Sequence, residues 1–276
     1  MTGAGLGRDS EAIRLVRNRY VDVHAGQVHL RETAGTGAPI LLLHQTASSS
    51  ACYLPLMRAL TLPNRLIAID TPGFGGSFDP AGAPSIEDYA AVVLDVLDEL
   101  QAGPVHVFGH HTGATLALAL AAQAPERVRS VMLAGPVLMT AAERAAFAAH
   151  YNQPIAPRRD GMHLQTNWDY AAGFNPDCSV ELLHDEVVAM LRAWRGRPQA
   201  YSAVAGYDEA ATARGVTHPV LLLTSPDDFF HAHFDRATAL FPNAHVAVTA
   251  GGNFQPTADP AGVARAVEHF MADLPG

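Results

Sequence analysis

The segment from Gly109 to Gly113 carries the residue types and spacing that best suggest chemistry, because it reads Gly-His-His-Thr-Gly. An apolar run, Val105 to Phe108, precedes it and a stretch rich in alanine and leucine follows, which predicts a strand, a tight turn and a helix. In the pattern Gly-x-Ser-x-Gly the glycines tolerate a cramped turn that pushes the middle side chain into a pocket. His111 holds this middle position, where serine is usual.

The elements that must position this turn are visible as apolar runs that alternate with helical patterns. Most runs are continuously apolar, as expected for strands of a parallel sheet that is covered on both faces. Six runs of this kind are Pro39 to His44, Arg65 to Asp70, Val105 to Gly109, Ser130 to Ala134, Pro219 to Thr224 and His245 to Thr249. Before them, Tyr20 to Val23 and Val28 to Thr33 flank a turn and predict an antiparallel edge hairpin. The sequence thus predicts an α/β fold with a mostly parallel sheet of about eight strands.

The rhythm changes between residues 138 and 214, where helical patterns replace strand-like runs. Examples are Ala141 to Tyr151 and Val180 to Trp194. We predict a core domain formed by residues 1–137 and 215–276 and an inserted helical cap at 138–214. The cap is rich in aromatic and amphipathic residues and is expected to roof a pocket at the carboxyl ends of the strands. These residues are Tyr151, Met162, His163, Trp168, Tyr170, Phe174, Trp194 and Tyr201.

Composition limits the classes of partner. The formal net charge is −9 and the 18 positive residues are all arginine, spread without a basic stripe, which argues against nucleic acid and anionic membranes. No signal peptide or long apolar span is evident, so we expect a cytoplasmic monomer or homodimer that acts on a small molecule. No dinucleotide or P-loop glycine pattern is present, so no organic cofactor is implied.

Five motifs together resemble the α/β hydrolase superfamily, in the family's order and across nearly the whole chain. The first is the elbow around His111. Leu41 to Thr46 resembles the oxyanion loop after the third strand, and Asp70 to Ser77 resembles the loop after the fourth. Pro219 to Asp228 resembles the strand that delivers the catalytic acid, and Gly251 to Pro256 resembles the turn that bears the catalytic base.

The resemblance implies that two of three catalytic positions are altered. His111 replaces the nucleophilic serine and Asn253 replaces the catalytic histidine, while Asp228 keeps the acid. We prefer Asp228 to its neighbour Asp227 because it holds the fourth place of a turn that begins at Ser225. Asparagine cannot take a proton from a serine or return it to a leaving group, so an ordinary serine mechanism is not supported. An Asn253 engineered in place of a catalytic histidine is an alternative.

The oxyanion hole could survive these changes, because backbone amides form most of it. The resemblance assigns this role to the amides of Thr46 and Thr112, with Gln45 in place of the loop glycine. His44 and His110 complete the predicted oxyanion and substrate-binding group, although their default interpretation is packing or bridging of loops.

Our leading hypothesis makes His111 a general acid or base, since imidazole exchanges protons at about pH 6.5. Asp228 would orient it, either directly or through Asn253. A covalent acyl-imidazole is a less favoured alternative. His231 and His233 follow Asp228 closely and are possible substitute bases, although a solvated loop is the simpler interpretation. A zinc site from His44, His111 and His231 would require three loops to converge, so we predict no metal.

The predicted function is a cofactor-independent hydrolase or lyase that cleaves an ester, a lactone or a C–C bond of a small carbonyl compound by a non-serine mechanism. Two alternatives remain open. One is a catalytically silent binding protein, since both the serine and the histidine are lost. The other is cofactor-independent oxygenation, by analogy with unusual members of the superfamily.

Overall fold

The computed structural model of the protein describes residues 14–274, which form an eight-stranded sheet flanked by helices. The strands lie in the order β1-β2-β4-β3-β5-β6-β7-β8. Their bounds are β1 Val16–Val23, β2 Gly26–Thr33, β3 Ile40–Leu43, β4 Leu66–Ile69, β5 Val105–His110, β6 Val128–Ala134, β7 Val220–Thr224 and β8 His245–Val248. The predicted α/β fold with a mostly parallel sheet is confirmed.

The first two strands form the predicted antiparallel hairpin, in which Val23 pairs with Gly26. β1 begins at Val16, four residues before the predicted start at Tyr20, and pairs with β2 along its whole length. Most of its residues are exposed because it is an edge strand, so it lacks the apolar run that marks the buried strands. β2 also pairs antiparallel with β4, and all later pairings are parallel.

The parallel strands are buried on both faces, as their apolar composition predicts. Successive residues of β3 point to opposite faces: Leu41 and Leu43 belong to one apolar core, and Ile40 and Leu42 belong to the other. Helices α2 Ile86–Glu99 and α3 Thr112–Gln123 cover the first face, and α1 Leu54–Ala59 and α11 Pro260–Ala272 cover the second. The remaining helices of the core are α9 Phe234–Leu240 and α10 Gln255–Ala258.

Five helices and no strand occupy residues 138–214, between β6 and β7. They are α4 Ala141–Tyr151, α5 Met162–Phe174, α6 Val180–Arg192, α7 Gly196–Gly206 and α8 Glu209–Ala213. The sequence predicts α4 with the observed bounds and extends α6 two residues too far. The division into a core domain and a cap domain stays a prediction.

Among the helices of residues 14–274, none is both long enough and apolar enough to cross a membrane.

Candidate active site

The predicted elbow is a sharp turn between β5 and α3, with His111 at its corner. The backbone of His111 has φ 48° and ψ −110°, a conformation that L-residues rarely adopt and that is associated with functional sites. Its amide donates to the carbonyl of Ala134, and its own carbonyl accepts from the amide of Ala114 at 2.7 Å. The turn is therefore fixed from both sides of His111.

The glycines of the motif permit this turn by close approach. A Cβ atom on Gly109 would lie 2.0 Å from the carbonyl oxygen of Gly113. No other residue fits there, so the spacing of the two glycines follows directly from the geometry of the turn.

The structure brings His111 and Asp228 into direct contact. The Nε2 atom of His111 lies 2.8 Å from Oδ2 of Asp228, and the exposed fractions of the two side chains are 11% and 0%. Asp228 follows β7 on a turn in which its amide donates to the carbonyl of Ser225, as the sequence predicts. The neighbouring Asp227 is exposed. Of the two orientations considered for Asp228 and His111, the structure has the direct one, without Asn253 between them.

Asp228 has two further hydrogen-bond donors. The amide of Phe230 donates to Oδ1 at 2.7 Å, and Nε2 of Gln255 donates to Oδ2 at 2.8 Å. Burial raises the pKa of Asp228, but the charge and hydrogen bond of His111, together with His110 and the Phe230 amide, outweigh burial and lower this pKa to about 2. Asp228 is therefore a carboxylate at neutral pH.

Gln255 is a site residue that the sequence analysis missed. It is fully buried, and its Oε1 accepts a hydrogen bond from Thr249 at 2.7 Å, which orients the amide nitrogen toward Asp228. One feature of the sequence could have identified it. Gln255 lies two residues after Asn253, in the turn that resembles the base-bearing turn of the family.

Gly135, at the end of β6, is a second missed residue. It has φ +55°, and a Cβ atom there would lie 2.4 Å from Cδ2 of His111 and 2.9 Å from Oδ2 of Asp228. The absence of a side chain at Gly135 makes the His111–Asp228 contact possible.

The side chain of Asn253 bonds to backbone groups. Its Oδ1 accepts from the amide of Phe229 at 2.9 Å, and its Nδ2 donates to the carbonyl of Phe174 at 2.9 Å. Asn253 lines the pocket beside His111, yet both ends of its amide are used to join the turn after β7 to helix α5. Neither end of this amide contacts His111 or Asp228.

A pocket lies above the elbow, between the carboxyl ends of the strands and the helices of residues 138–214. Its floor contains His111 and Thr112, and its walls are mostly aromatic. The other lining residues are Gln45, Thr46, Val137, Phe147, Tyr151, Tyr170, Phe174, Met190, Tyr201, Val204, Phe229, Phe230, Asn253 and Phe254. Four of the eight predicted roof residues therefore line it: Tyr151, Tyr170, Phe174 and Tyr201. Met162, His163, Trp168 and Trp194 do not.

The amides of the predicted oxyanion hole are available. Thr112 is the first residue of α3, so its N–H has no partner within the helix. The N–H of Thr46 forms no hydrogen bond with any residue between 14 and 274. Both residues, with Gln45, line the pocket. Both amides are therefore free to donate to a ligand.

The side chains of His44 and His110 lie outside the pocket. His44 bridges two loops, because Nδ1 donates to the carbonyl of Gln45 at 2.8 Å and Nε2 accepts from the amide of Thr71 at 3.1 Å. His110 packs against His111 with ring centroids 4.2 Å apart. Burial, followed by the charge of His111, lowers the pKa of His110 well below its usual value, so this imidazole is neutral.

His231 and His233 also lie outside the pocket. Nδ1 of His231 bonds to the hydroxyl of Thr224 at 3.0 Å, and Nδ1 of His233 bonds to the carbonyl of Val137. The structure does not bring His44, His111 and His231 together as a zinc site.

A different set of donors does converge. One donor atom from each of His110, His111 and Asp228 lies within 4.8 Å of the other two, which is close enough to hold a metal ion. A hydrogen bond between Nε2 of His111 and Oδ2 of Asp228 already joins two of these three residues, so a cation would compete with it for them.

Two buried glutamates, Glu186 and Glu209, form hydrogen bonds with segments next to the pocket residues. Glu186 accepts from the hydroxyl of Ser48 at 3.0 Å, and Glu209 accepts from the hydroxyl of Thr115 and the amide of Leu138. Burial raises the pKa of each to about 7, against hydrogen bonds that lower it. Glu209 thus joins the elbow helix to the start of the helical segment.

A family model described as the alpha/beta hydrolase fold matches residues 38–174. A curated relative, the 2-(acetamidomethylene)succinate hydrolase of Mesorhizobium japonicum, is 28% identical over 86% of this chain and 88% of its own length. Haloalkane dehalogenase 2 of Mycobacterium tuberculosis is 33% identical over 42% of this chain and 41% of its own. The chain spans about two fifths of the length of the curated relatives to which it is 33% and 35% identical.

Solved structures agree on the fold. The N-acyl homoserine lactonase AidH superimposes with a TM-score of 0.75 at 21% identity, over 94% of this chain and 98% of that one. The likeness at this identity is one of fold.

Proposed function

We propose that this chain is a hydrolase of the α/β hydrolase superfamily in which His111 is the general base. His111, oriented by Asp228, would activate water toward a small ester or lactone. The observation that carries the proposal is the 2.8 Å contact between Nε2 of His111 and Oδ2 of Asp228 at the elbow. A histidine held by a buried carboxylate is the standard base of acyl-transfer sites.

The contact between His111 and Asp228 indicates which ring nitrogen of His111 can accept a proton from water. Because the carboxylate of Asp228 can only accept, Nε2 of His111 carries the proton and donates it. Nδ1 then bears the free lone pair, and it forms no hydrogen bond with any residue of the described chain. We assign proton abstraction to Nδ1.

The proposed reaction is a direct attack by water. Nδ1 of His111 removes a proton from a water molecule as its oxygen bonds to the substrate carbonyl, and the amides of Thr46 and Thr112 stabilise the resulting oxyanion. When the tetrahedral intermediate collapses, the ester C–O bond breaks and Nδ1 returns the proton to the leaving alkoxide. The products are a carboxylic acid and an alcohol, joined in one molecule for a lactone.

Attack by His111 itself is disfavoured by the same geometry. Nε2 is occupied by Asp228, and Nδ1 is the ring nitrogen closer to the backbone, where attack on a bulky carbonyl carbon is hindered. A water molecule is smaller and can lie between Nδ1 of His111 and the substrate carbonyl carbon. The names of the curated relatives, a hydrolase and a dehalogenase, support a hydrolytic reaction, while the choice of an ester or a lactone rests on the elbow residues.

The experiment is the hydrolysis of p-nitrophenyl acetate, p-nitrophenyl butyrate and a series of γ- and δ-lactones by the wild type and by His111→Ala. We expect kcat/KM to fall by about 10²-fold or more in the variant, the usual contribution of a general base. His184→Ala is the matched control, because His184 is exposed on α6, away from the pocket, and surface imidazoles give background ester cleavage.

Pre-steady-state kinetics separate the two roles of His111. A general base predicts no burst of nitrophenol, whereas a covalent acyl-imidazole predicts a burst equal to the enzyme concentration. Equal activity of His111→Ala and His184→Ala would reject the proposal and favour a binding protein.

A further inference from the structure

Arg197 is a buried cation without a partner. Its residue is 4% exposed, yet Nε and Nη1 form no hydrogen bond, and no carboxylate of residues 14–274 lies within 4.0 Å of it. Burying an unpaired charge is costly, so proteins normally pair such a group or use it to bind an ion. Arg197 is therefore a buried cation that no carboxylate of the described chain neutralises.

Arg197 belongs to the face of α7 that builds the pocket. Arg197, Tyr201 and Val204 are spaced i, i+4 and i+7, so they lie on one side of the helix, and the latter two line the pocket. The guanidinium carbon lies 4.1 Å from the centroid of the Tyr170 ring, another pocket wall. Stacking against Tyr170 covers one face of the guanidinium, while Nε and Nη1 are buried without a hydrogen-bond partner.

The tyrosines around Arg197 are already bonded to one another. The hydroxyl of Tyr201 donates to the carbonyl of Thr46 at 3.2 Å, and the hydroxyls of Tyr170 and Tyr201 lie 3.3 Å apart. These bonds connect Tyr170, the pocket residue that contacts Arg197, to the loop that holds the Thr46 amide. A ligand group at Arg197 and a carbonyl at Thr46 would thus belong to one molecule of modest length.

We propose that Arg197 binds a carboxylate of the substrate, so that the substrate is an ester or lactone with an apolar or aromatic body and one carboxylate. A guanidinium fork matches a carboxylate with two parallel hydrogen bonds, and a single positive charge balances a monoanion better than a phosphate dianion. The mostly aromatic wall fits the apolar body. This inference rests on the proposed function for the identity of the ligand as substrate.

The test measures binding, so that it does not depend on turnover. Phenylacetate, 3-phenylpropionate and 4-phenylbutyrate are titrated by calorimetry against their carboxamides, in the wild type, Arg197→Gln and Arg197→Lys. We expect the wild type to prefer at least one acid over its amide by about 10- to 100-fold, the usual effect of a charge-assisted hydrogen bond. Arg197→Gln should lose this preference, and Arg197→Lys should keep part of it.

Two further variants make the result unambiguous. Arg195→Gln removes an exposed arginine two residues away, which lies over Trp194 at 4.0 Å, and it should keep the preference for the acid. His184→Ala, at an exposed position of α6, should also keep it. Without ligand, the melting temperature of Arg197→Gln should equal or exceed that of the wild type, since a buried charge is removed.

The proposal is overturned if the wild type binds acids and amides equally, or if Arg197→Gln keeps the preference. Failure of the proposed function looks different: His111→Ala would then match the wild type in turnover, whatever the acid-to-amide ratio.

Discussion

His111 and Asp228 are 117 residues apart in the chain and are joined by a hydrogen bond of 2.8 Å between Nε2 and Oδ2. One stands on the turn after β5 and the other on the turn after β7, and β6 lies between these strands in the sheet. The imidazole at the elbow reaches the acid across this gap. In the proposed function, a histidine at the elbow therefore supplies a base that contacts its orienting carboxylate without a third side chain.

Replacing the acid should disable this pair. In Asp228→Asn the carboxylate that fixes the tautomer of His111 and stabilises the imidazolium is lost, so we expect kcat/KM to fall by about 10²- to 10⁴-fold with little change in KM. The measurement is kcat/KM and KM for ester hydrolysis at neutral pH. Asp227→Asn, at the exposed neighbour, serves as the control, and an equal loss in both variants would contradict the assignment of Asp228.

Asn253 should matter for the shape of the pocket more than for proton transfer. Its amide bonds to the backbone of Phe229 and Phe174, and neither end reaches His111 or Asp228. For Asn253→Ala we expect a higher KM, with kcat within about tenfold of the wild type because the base and its acid remain. Separate determination of kcat and KM checks this. A collapse of kcat at unchanged KM would show that Asn253 takes part in the chemistry.

Gly135 offers a test of the packing around the dyad. In Gly135→Ala the new methyl group would lie 2.4 Å from the ring of His111, so the imidazole or the backbone must move. We expect activity to fall by at least about 10²-fold, as misplacement of a catalytic group by 1 Å can cost.

Gly82→Ala is the matched control for Gly135→Ala. Gly82 has φ +70°, so alanine is strained there too, but its Cβ would meet no atom within 4 Å. Both variants should lose about 1–2 kcal/mol in the free energy of unfolding from backbone strain. Retained activity in Gly135→Ala would show that the pair tolerates displacement.

The sequence was sufficient for the fold and for the elbow because both leave local signals. β5 is buried along its whole length, β7 is an almost continuous apolar run, and the spacing of Gly109 and Gly113 around His111 follows from one tight turn. The edge strand β1 was only partly predicted, because its exposed residues carry no apolar run.

The second layer of the site could not be predicted in this way. Gln255 and Gly135 act on the dyad through contacts between distant segments, and nothing in their immediate sequence shows which side chain they will meet. The same holds for Arg197, whose importance comes from the lack of a buried partner. Such features depend on how the elements pack, which periodicity does not determine.

Metal dependence provides an independent test of the proposed base. If the active enzyme contains the His111–Asp228 hydrogen bond and no metal, incubation with EDTA should leave kcat/KM unchanged. Added Zn²⁺ should inhibit, because a metal bound by His110, His111 and Asp228 would take the proposed base and its acid as ligands. Loss of activity with EDTA and its recovery with Zn²⁺ would replace the general-base mechanism by a metal-bound water.

Glu209 should make the stability of the protein depend on pH. Burial raises the pKa of its carboxyl from 4.5 to about 7 in the folded state, so the folded protein holds a proton there that the unfolded chain releases. The contribution of Glu209 to the free energy of unfolding therefore falls as the pH rises from about 4.5 to about 7, and it stays constant above that range.

Glu209→Gln should remove this loss, because an amide does not titrate. The amide oxygen can accept from the amide of Leu138 and its NH₂ group can donate to the hydroxyl of Thr115, so both contacts of Glu209 are kept. Urea unfolding should show the variant gaining stability relative to the wild type between pH 5 and pH 8, by at most about 3 kcal/mol at about 1.4 kcal/mol per pKa unit. Glu99→Gln, at an exposed position of α2, should show no such gain. A constant difference between Glu209→Gln and the wild type across this range would mean that Glu209 is already ionised when the protein folds.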